Sequence, residues 1–496
     1  MGFIELKMFI LALFTGSSPD ITANCETLAA LDLFPKIQIT SSKAVSVKSD
    51  LPAFCQIQGT IKPDIGFEAR FPIAEWNGKY FQAGCGGYCG QILPDRETHS
   101  NSINHALRRG YAAITTDGGH QSDSIGDASW ASNPEVEKIY AGEVIPLTHA
   151  AAFQLINEIY GRKPAYSYFS GCSNGGRLAA KAAQEYPDLF NGIISGCPVL
   201  NLSGNGGILA SWVLRANSDA SGNPILDDQF KDKLSMLEQN AIAQCDALDG
   251  TTDGAIQSPE KCHVNLDEIP ACGQKKTKSC LTEEEKTVIR KLYDGPINSV
   301  GEKLFYGIPP GSERYWAIWH LGNEENPSIG TRLAEGYLPF LGFPDDPDNY
   351  SAIEFDLDND LLKLETQGRL LNAMNPDLGA FSEAGGKMIM WHGQADPLVL
   401  PNQSIDYYND VVKKFGRQST ENFFRLFLVP SMGHCWELPA ALPDRMNMLQ
   451  VMEDWVENGI APNKIAVHRN IHEDDNSLNV KVGQLHPYPA LATYSP

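Results

Sequence analysis

The 496-residue sequence lacks several features that define large classes of proteins. It has no apolar run of the roughly 18 residues that a membrane-spanning helix needs, no internal repeat and no low-complexity tract. Basic residues are few, with 39 Lys and Arg against 61 Asp and Glu, so the formal net charge is −22. A charge of this sign repels phosphate backbones and anionic lipid head groups. We therefore expect binding neither to nucleic acid nor to a membrane.

Metal-binding and redox motifs are also missing. None of the 11 cysteines belongs to a CxxC pair, which argues against a zinc or thioredoxin-like site. The sequence has no HxH or HExxH motif, which disfavours a metal-dependent hydrolase. The cysteines favour disulfide bonds in an oxidising compartment, and their odd number leaves at least one outside such a bond.

The first 23 residues have the pattern of a secretory signal peptide. A short apolar stretch, residues 8–14, follows Lys7, and small residues continue to Ala23. Together with the cysteines, this pattern predicts a secreted or periplasmic protein. We expect a monomer or a homodimer.

The remaining chain is typical of a globular α/β protein, with 42% apolar and 20% charged residues. Short β-branched or aromatic runs alternate with helical stretches up to about residue 200, which indicates a parallel sheet. Predicted strands cover residues 79–81, 110–116, 165–170, 192–200, 387–391 and 424–429, and predicted helices cover 147–160, 175–185 and 406–414. Strand signals are few between these groups. Residues 24–201 and 383–496 are therefore predicted to form one α/β domain, interrupted by an inserted segment, 202–382.

One of these strands leads into a motif with catalytic chemistry. Gly171, Ser173 and Gly175 form a GxSxG pattern with a strand before it and a helix after it. In such a nucleophile elbow, a sharp turn lifts the serine hydroxyl above the sheet, and small neighbours prevent collisions. A plain Gly/Ser turn is the alternative. The strand and helix context favours a serine nucleophile.

An α/β-hydrolase supplies an acid and then a histidine after later strands. Asp396 follows the strand predicted at 387–391, and His434 follows the strand at 424–429. Either residue alone is more typical of a helix cap or a surface group. In this order and at these strand ends, Ser173, Asp396 and His434 are predicted to form a catalytic triad within an α/β-hydrolase fold.

The tetrahedral intermediate of such a reaction needs two backbone N–H donors for its oxyanion. Asn174, directly after the nucleophile, is predicted to supply one. The second is expected from the glycine-rich loop at residues 84–90, where the sequence does not distinguish Gly86 from Gly87. A Gly-rich turn without this role is the alternative.

Two cysteines flank the predicted catalytic residues. Cys172 precedes Ser173, and Cys435 follows His434, so a hydrogen bond between the serine and the histidine would bring the two sulfurs within bonding reach. This CS-D-HC arrangement resembles the tannase and feruloyl esterase family of α/β-hydrolases, and the likeness extends over nearly the whole chain after the signal segment. The family also contains a hydrolase of mono(2-hydroxyethyl) terephthalate. The resemblance implies a serine esterase for esters of aromatic acids, with the insertion as a lid over the acyl pocket.

The resemblance also bears on an acidic loop in the insertion. Residues 245–256 contain three carboxylates and two glycines, but not the spacing of an EF-hand. Alone, this pattern is more typical of a solvated turn. The family's structural calcium at a matching stretch implies a Ca²⁺ site here, with the ligands Asp246, Asp249, Thr251, Asp253 and Ala255. It implies the pairs Cys25–Cys55, Cys245–Cys262 and Cys272–Cys280, and leaves Cys85, Cys89 and Cys197 undecided.

The resemblance implies one further site residue, His392, which is expected to face the substrate. Lid aromatics, Trp212, Tyr315, Trp316, Trp319 and Tyr337, are either stacking partners for a phenolic ring or ordinary core residues. Arg314 and Arg332 either bind a free carboxylate or phenolate, or form surface salt bridges. We expect hydrolysis of hydroxycinnamoyl or galloyl esters. The alternatives are a terephthalate-monoester or general aryl esterase, and an inactive binding module, which the intact triad disfavours.

Overall fold

The computed structural model describes residues 20–30, 34–48, 50–96, 101–273, 277–323, 325–343, 345, 347, 350–435, 445–470 and 479–494. Most of the predicted signal peptide, residues 1–19, lies outside these ranges. Residues 20–23 belong to the start of the first helix, where the Asp20 side chain accepts a hydrogen bond from the Ala23 backbone N–H.

A nine-stranded mixed sheet forms the centre of the fold, in the order β1-β2-β3-β5-β4-β6-β7-β8-β9. The strands β1, β2, β3 and β5 pair antiparallel, and the pairs from β5 through β9 are parallel. Their bounds are β1 Ile37–Val45, β2 Phe54–Ile61, β3 Ile65–Pro72, β4 Lys79–Ala83, β5 Ala112–Thr116, β6 Tyr166–Cys172, β7 Gly192–Gly196, β8 Lys387–Gly393 and β9 Phe424–Val429. This sheet confirms the predicted α/β-hydrolase fold.

The central parallel strands are buried along most of their length. All five residues of β7 are buried, as are six of the seven in β8. Helices cover such strands on both faces, so their sequences are nearly continuous apolar runs. These runs are the reason that the predicted strands at 165–170, 387–391 and 424–429 coincide with β6, β8 and β9 within two residues.

The helices outside the insertion follow the same pattern. Their bounds are α1 Ile21–Thr27, α2 Asn104–Arg108, α3 Pro134–Lys138, α4 Val144–Tyr160 and α5 Asn174–Glu185, and, after the insertion, α13 Asn402–Phe415, α14 Arg417–Thr420 and α15 Met448–Asn458. The Ala-rich α5 packs on β6 and β7 and buries its first ten residues. The predictions at 147–160, 175–185 and 406–414 correspond to α4, α5 and α13.

The segment between β7 and β8 is mainly helical. It contains α6 Ala210–Ala216, α7 Leu234–Cys245, α8 Glu283–Asp294, α9 Trp316–Trp319, α10 Ile329–Tyr337, α11 Leu364–Leu371 and α12 Gly379–Glu383. Its apolar cluster includes Leu209, Leu237, Val288 and Trp316. Among the described residues of 202–382, none belongs to a strand of the nine-stranded sheet. That this segment acts as a lid stays a prediction.

A second, four-stranded sheet lies near the C-terminus. Its strands are β10 Arg445–Met446, β11 Ile465–Asn470, β12 Asn479–Leu485 and β13 Thr493–Tyr494, paired antiparallel in chain order. This sheet was not predicted from the sequence.

All eleven cysteines are within the described residues, and ten of them form disulfide bonds. The pairs are Cys25–Cys55, Cys85–Cys89, Cys172–Cys435, Cys245–Cys262 and Cys272–Cys280. They include the three pairs that the family resemblance implies, and they resolve the open alternative for Cys85 and Cys89 in favour of a bond. Among the described helices, none is long and apolar enough to cross a membrane.

Candidate active site

Ser173 occupies a sharp turn between β6 and α5. Its backbone has φ 63° and ψ −123°, a left-handed conformation that is unfavourable for a non-glycine residue. The flanking glycines make this turn possible. A Cβ atom on Gly171 would lie 2.5 Å from the carbonyl carbon of Gly175, and a Cβ atom on Gly175 would lie 2.9 Å from the carbonyl oxygen of Gly84. The strained turn therefore has the geometry of a nucleophile elbow.

Asp396 lies in the loop after β8 and is fully buried. Its Oδ1 atom accepts hydrogen bonds from the backbone N–H groups of Leu398 and Val399, both at 2.9 Å. Its Oδ2 atom accepts a 2.6 Å hydrogen bond from Nδ1 of His434. Burial alone would raise the pKa of this carboxyl, but His434 and His392 outweigh it and lower the pKa to about 2. Asp396 is therefore an anion that fixes the orientation of His434.

The loop after β9 carries His434, which is almost completely buried. The Trp319 ring meets its imidazole edge to face, with the ring centroids 5.3 Å apart. Gly393, at the end of β8, lets the Asp396 and His434 loops approach, because a Cβ atom there would lie 2.3 Å from the carbonyl oxygen of Met432. Gly393 was not predicted from the sequence, although a glycine at the end of a strand is a signal of close backbone approach.

The Cys172–Cys435 disulfide joins the turn that carries Ser173 to the loop that carries His434. The two Cα atoms are 6.0 Å apart, although 263 residues separate them in the sequence. Cys197 is buried beside this bond, with its sulfur within 4.8 Å of both bonded sulfurs. The predicted linkage of nucleophile and histidine loops is thus present in the structure.

The glycine-rich loop after β4 adjoins the nucleophile turn. Asn174 and Gly87 line the same cavity as Ser173, whereas Gly86 is not among the lining residues. The Asn174 side chain donates a 3.2 Å hydrogen bond to the Cys85 carbonyl oxygen. Between described residues, no hydrogen bond uses the backbone N–H of Asn174 or of Gly87. That these two N–H groups serve as the donors that an oxyanion requires stays a prediction.

A cavity of about 540 Å³ opens next to Ser173. The sheet domain contributes Tyr88 and Val199, and the insertion contributes Leu209, Val213 and other residues. Part of the lining is apolar and part carries amides and hydroxyls, among them Asn205, Asn217, Ser218, Asn223, Asn323 and Thr331. A cavity of this size and mixed polarity accommodates an aromatic ring and a polar group together.

The structure corrects the expectation that His392 faces the substrate. His392 is fully buried and is not among the residues that line the cavity. Its Nε2 atom lies 2.7 Å from the Val399 carbonyl oxygen and 3.4 Å from Asp396 Oδ2. Its Nδ1 atom is 2.7 Å from the Ser404 hydroxyl. His392 therefore contacts Asp396 and the loop after β8, and it does not line the cavity. The contact with Ser404 was not predicted from the sequence.

Most of the aromatic and cationic lid residues do not reach the cavity. Trp319 lines it, whereas Trp316 and Tyr337 are completely buried, and the Tyr315 hydroxyl donates to the Ser431 carbonyl oxygen at 2.7 Å. Arg314 pairs with Glu238, and the exposed Arg332 is not part of the lining. Neither of the two arginines is placed to bind a substrate carboxylate.

The acidic loop of the insertion folds back on its own carboxylates. Asp246 accepts hydrogen bonds from the backbone of Asp253 and Gly254, and Asp249 accepts from Thr251. Burial raises the pKa of Asp253, and the charges of Asp249 and Asp246 raise it further. No ion pair between described residues neutralises these three aspartates.

The oxygen donors and the uncompensated negative charge of this loop suit Ca²⁺. The side chains do not converge as a preformed cage, however. Among the described residues, the groups of three His, Cys, Asp or Glu with ligand atoms within 4.8 Å of one another do not include these aspartates. Backbone carbonyls, such as those predicted at Thr251 and Ala255, would have to complete the coordination.

Comparison with known proteins gives a consistent result. A family model described as tannase and feruloyl esterase matches residues 47–496. An uncharacterized esterase of Xanthomonas campestris is 33% identical, over 97% of this chain and 90% of its own. A mono(2-hydroxyethyl) terephthalate hydrolase of Piscinibacter sakaiensis is 30% identical, over 92% of this chain and 84% of its own.

A solved structure shares the fold. Feruloyl esterase B of Aspergillus oryzae superposes with a TM-score of 0.79 at 24% identity, over 95% of this chain and 96% of that chain. With the family match over nine-tenths of the sequence and the relative at 33% identity, the comparison establishes that this chain belongs to the tannase and feruloyl esterase family and is an ester hydrolase.

Proposed function

We propose that Ser173, His434 and Asp396 form a catalytic triad that hydrolyses esters of aromatic acids through an acyl-enzyme. The observation that carries this proposal is the 2.6 Å hydrogen bond between His434 Nδ1 and Asp396 Oδ2. The Cys172–Cys435 disulfide also joins the loop that carries His434 to the turn that carries Ser173. The remaining nitrogen of the imidazole, Nε2, would then accept the serine proton.

A side chain or backbone group of this site serves each step of the proposed reaction. His434 Nε2 removes the Ser173 proton as the hydroxyl oxygen attacks the ester carbonyl carbon, and the backbone N–H groups of Asn174 and Gly87 stabilise the oxyanion. The imidazolium then returns the proton to the leaving alcohol, which breaks the ester bond and leaves an acyl-serine. Water, deprotonated by His434, hydrolyses the acyl-serine. Asp396 holds the imidazole and balances its charge throughout.

Hydroxycinnamic and gallic esters are the proposed substrates. Support comes from the family, from the apolar part of the cavity, which suits an aromatic ring, and from its amides and hydroxyls, which suit hydroxyl groups. A terephthalate-monoester or general aryl esterase is the alternative, favoured by the relative from Piscinibacter sakaiensis.

The test compares methyl ferulate, methyl gallate and monomethyl terephthalate as substrates of the wild-type protein and of Ser173→Ala. We expect turnover of the first two esters and a loss on the order of 10⁶-fold in Ser173→Ala, because a triad without its nucleophile retains little catalysis. The matched control is Ser167→Ala, which changes a buried serine on β6 outside the cavity and should keep full activity. More than about one per cent residual activity in a folded Ser173→Ala protein would exclude Ser173 as nucleophile.

We also propose that the loop of Asp246, Asp249 and Asp253 binds one structural Ca²⁺. Bound calcium would neutralise the three carboxylates and stabilise the insertion; the proposal gives it no part in the chemical step. Metal analysis of washed protein should find about one calcium per chain. Chelation should lower Tm more than the initial rate, and Asp249→Asn should lose the metal. Calcium-free protein with an unchanged Tm would contradict this proposal.

The proposed site of action is an oxidising compartment, outside the cell or in the periplasm. Five disulfide bonds support this location, because reducing cytosolic conditions disfavour them.

A further inference from the structure

One carboxylate distinguishes the lining of the cavity beside Ser173. Among the described lining residues, Glu335 is the one Asp, Glu, Lys or Arg. His320 also lines the cavity, but burial lowers its pKa to about 4, so its imidazole is uncharged at neutral pH. The charged groups that the structure places on this surface therefore sum to a negative value.

The Glu335 carboxylate is held in place without a cation. Its Oε1 atom accepts a 3.0 Å hydrogen bond from the Ser351 hydroxyl, and its Oε2 atom accepts one of 3.1 Å from the Ala352 backbone N–H. No Lys or Arg among the described residues forms an ion pair with it. Two neutral donors fix the direction of this side chain and leave its charge uncompensated.

The helix that carries Glu335 packs against the loop next to the reacting centre. Glu335 belongs to α10, and the Leu333 carbonyl oxygen on the same helix accepts a 2.7 Å hydrogen bond from the Tyr88 hydroxyl. Tyr88 follows Gly87, and both residues line the cavity with Ser173. The carboxylate is thus anchored to the same surface that receives the ester.

We propose that Glu335 is a specificity-determining residue that makes this cavity select uncharged esters over esters that carry a carboxylate. The inference rests on the proposed function, because it concerns the substrate of the same site. A terephthalate monoester has a carboxylate on its acyl ring, and like charges in a partly dehydrated cavity repel each other more strongly than in water. An uncharged phenolic ester avoids this repulsion, and its hydroxyl group is a suitable donor to the carboxylate.

The test uses two substrates that differ in charge but little in shape, monomethyl terephthalate and its neutral amide analogue, methyl terephthalamate. At about pH 7, the wild-type protein should show a kcat/KM at least about tenfold higher for the amide. Glu335→Gln keeps the shape and an acceptor oxygen but removes the charge. It should raise kcat/KM for the anionic ester about fivefold and leave the value for the amide within about twofold.

Glu354→Gln is the matched control. Glu354 is exposed and is not among the lining residues, so the variant makes the same change in net charge outside the cavity. Its Oε2 atom accepts a 3.4 Å hydrogen bond from the Ser351 backbone N–H, which the amide oxygen of the Gln side chain can also accept. It should leave the preference between the two esters unchanged. An equal effect of both variants would assign the preference to the overall charge of −22 and overturn the role of Glu335.

Binding measurements separate this inference from the proposed function. The two esters are titrated into Ser173→Ala and into the Ser173→Ala/Glu335→Gln double variant. Because neither variant turns the esters over, the titrations give, for each variant, the ratio of the Kd of the anionic ester to the Kd of its neutral analogue. A wild-type protein that hydrolyses neither these esters nor methyl ferulate would contradict the proposed function, while the Kd ratio would still test Glu335. Equal kcat/KM values for the two esters in the wild-type protein, or an equal loss for both in Glu335→Gln, would overturn the inference.

Discussion

The two oxygen atoms of Asp396 have different partners, and this difference determines the tautomer of His434. Oδ1 accepts hydrogen bonds from the backbone N–H groups of Leu398 and Val399, whereas Oδ2 lies 2.6 Å from Nδ1 of His434. Because a carboxylate only accepts hydrogen bonds, Nδ1 of His434 must carry a proton. The Nε2 atom is then left as an acceptor for the serine hydroxyl, as a general base requires.

The substitution Asp396→Asn should reverse this tautomer. Two backbone donors at the Oδ1 position will hold the amide oxygen there, so the NH₂ group points to His434 and makes Nδ1 an acceptor. The proton then lies on Nε2, which no longer accepts a proton from Ser173. We expect kcat to fall roughly 10⁴-fold, measured with methyl ferulate, with little change in near-ultraviolet circular dichroism. A variant within about tenfold of the wild-type kcat would argue against this role.

At the residue scale, sequence patterns are informative for groups that belong to a motif. Ser173, Asp396 and His434 were predicted as a triad because each follows a predicted strand in the required order, and the structure brings Asp396 and His434 into hydrogen-bond contact. His392 was placed wrongly, because its distance of four residues from Asp396 does not reveal which side of the carboxylate it occupies. Its contacts with Ser404 and Val399 depend on how a neighbouring loop and α13 fold, which no local pattern encodes.

At the scale of elements, a short segment of the insertion contacts the loop that carries His434. The turn Glu313–Tyr315 and the helix α9 carry Tyr315, which bonds to the Ser431 carbonyl oxygen, and Trp319, which contacts His434. The Glu313 side chain holds this segment through hydrogen bonds. It is fully buried, and its Oε1 atom accepts hydrogen bonds from the Tyr293 hydroxyl at 2.6 Å and from the Gly311 N–H at 3.0 Å.

The stability of this segment should depend on pH through Glu313. Burial raises its pKa to about 7, although the Tyr293 hydrogen bond opposes that shift. Between 4.5, the ordinary pKa of a glutamate in an unfolded chain, and about 7, the unfolded protein ionises this group while the folded protein keeps its proton, so stability falls as pH rises. Glu313→Gln removes this titration. We expect the Tm of the variant minus the Tm of the wild type to be larger at about pH 8 than at about pH 5. This increase corresponds to at most about 3 kcal/mol in the free energy of unfolding.

Glu302→Gln is the control for this comparison, because it removes the charge of an exposed glutamate nearby in the sequence. Its Tm should follow the wild type at both pH values. If the difference in Tm between Glu313→Gln and the wild type is the same at pH 5 and pH 8, Glu313 does not titrate in this range.

Elements were predictable where burial imposes a simple pattern. The parallel strands β6, β8 and β9 are apolar runs, and α5 has the composition of a buried helix. The strand β1 was missed because it is half exposed and carries the polar run Thr40, Ser41, Ser42 and Lys43, which is typical of a loop. The small sheet of β10 to β13 was missed because two of its strands have only two residues, which is too short for an alternating pattern.

At the scale of the whole molecule, the active site depends on contacts between distant parts of the chain. The sheet brings β6 and β9 together through β7 and β8, although about half of the sequence, including the insertion, lies between them. The order of the triad along an α/β-hydrolase sheet made this assembly predictable. The contacts of the insertion with the sheet domain were not predictable, because they are made by single side chains such as Tyr88 on Leu333 and Asn205 on Leu398.

The Cys172–Cys435 bond is the covalent link of this assembly, and we expect it to contribute more to catalysis than to global folding. When only the lost chain entropy is counted, a disulfide that closes a loop of 263 residues adds roughly 5 kcal/mol to the free energy of unfolding. Long loops often contribute less, because unfolded chains retain structure. The effect on position is more direct. A displacement of about 1 Å between nucleophile and base costs around 100-fold in rate.

The Cys172→Ala/Cys435→Ala double variant should therefore lose about 100-fold or more in kcat with methyl ferulate while it keeps a cooperative thermal transition. Cys272→Ala/Cys280→Ala is the matched control, because it removes a disulfide within the insertion and should preserve kcat. Because Cys197 lies within 4.8 Å of both bonded sulfurs, each single variant would leave two neighbouring thiols, which dissolved oxygen could oxidise to a new disulfide. The double variant avoids this oxidation, so full activity in that protein would show that the sheet alone holds Ser173 and His434 in register.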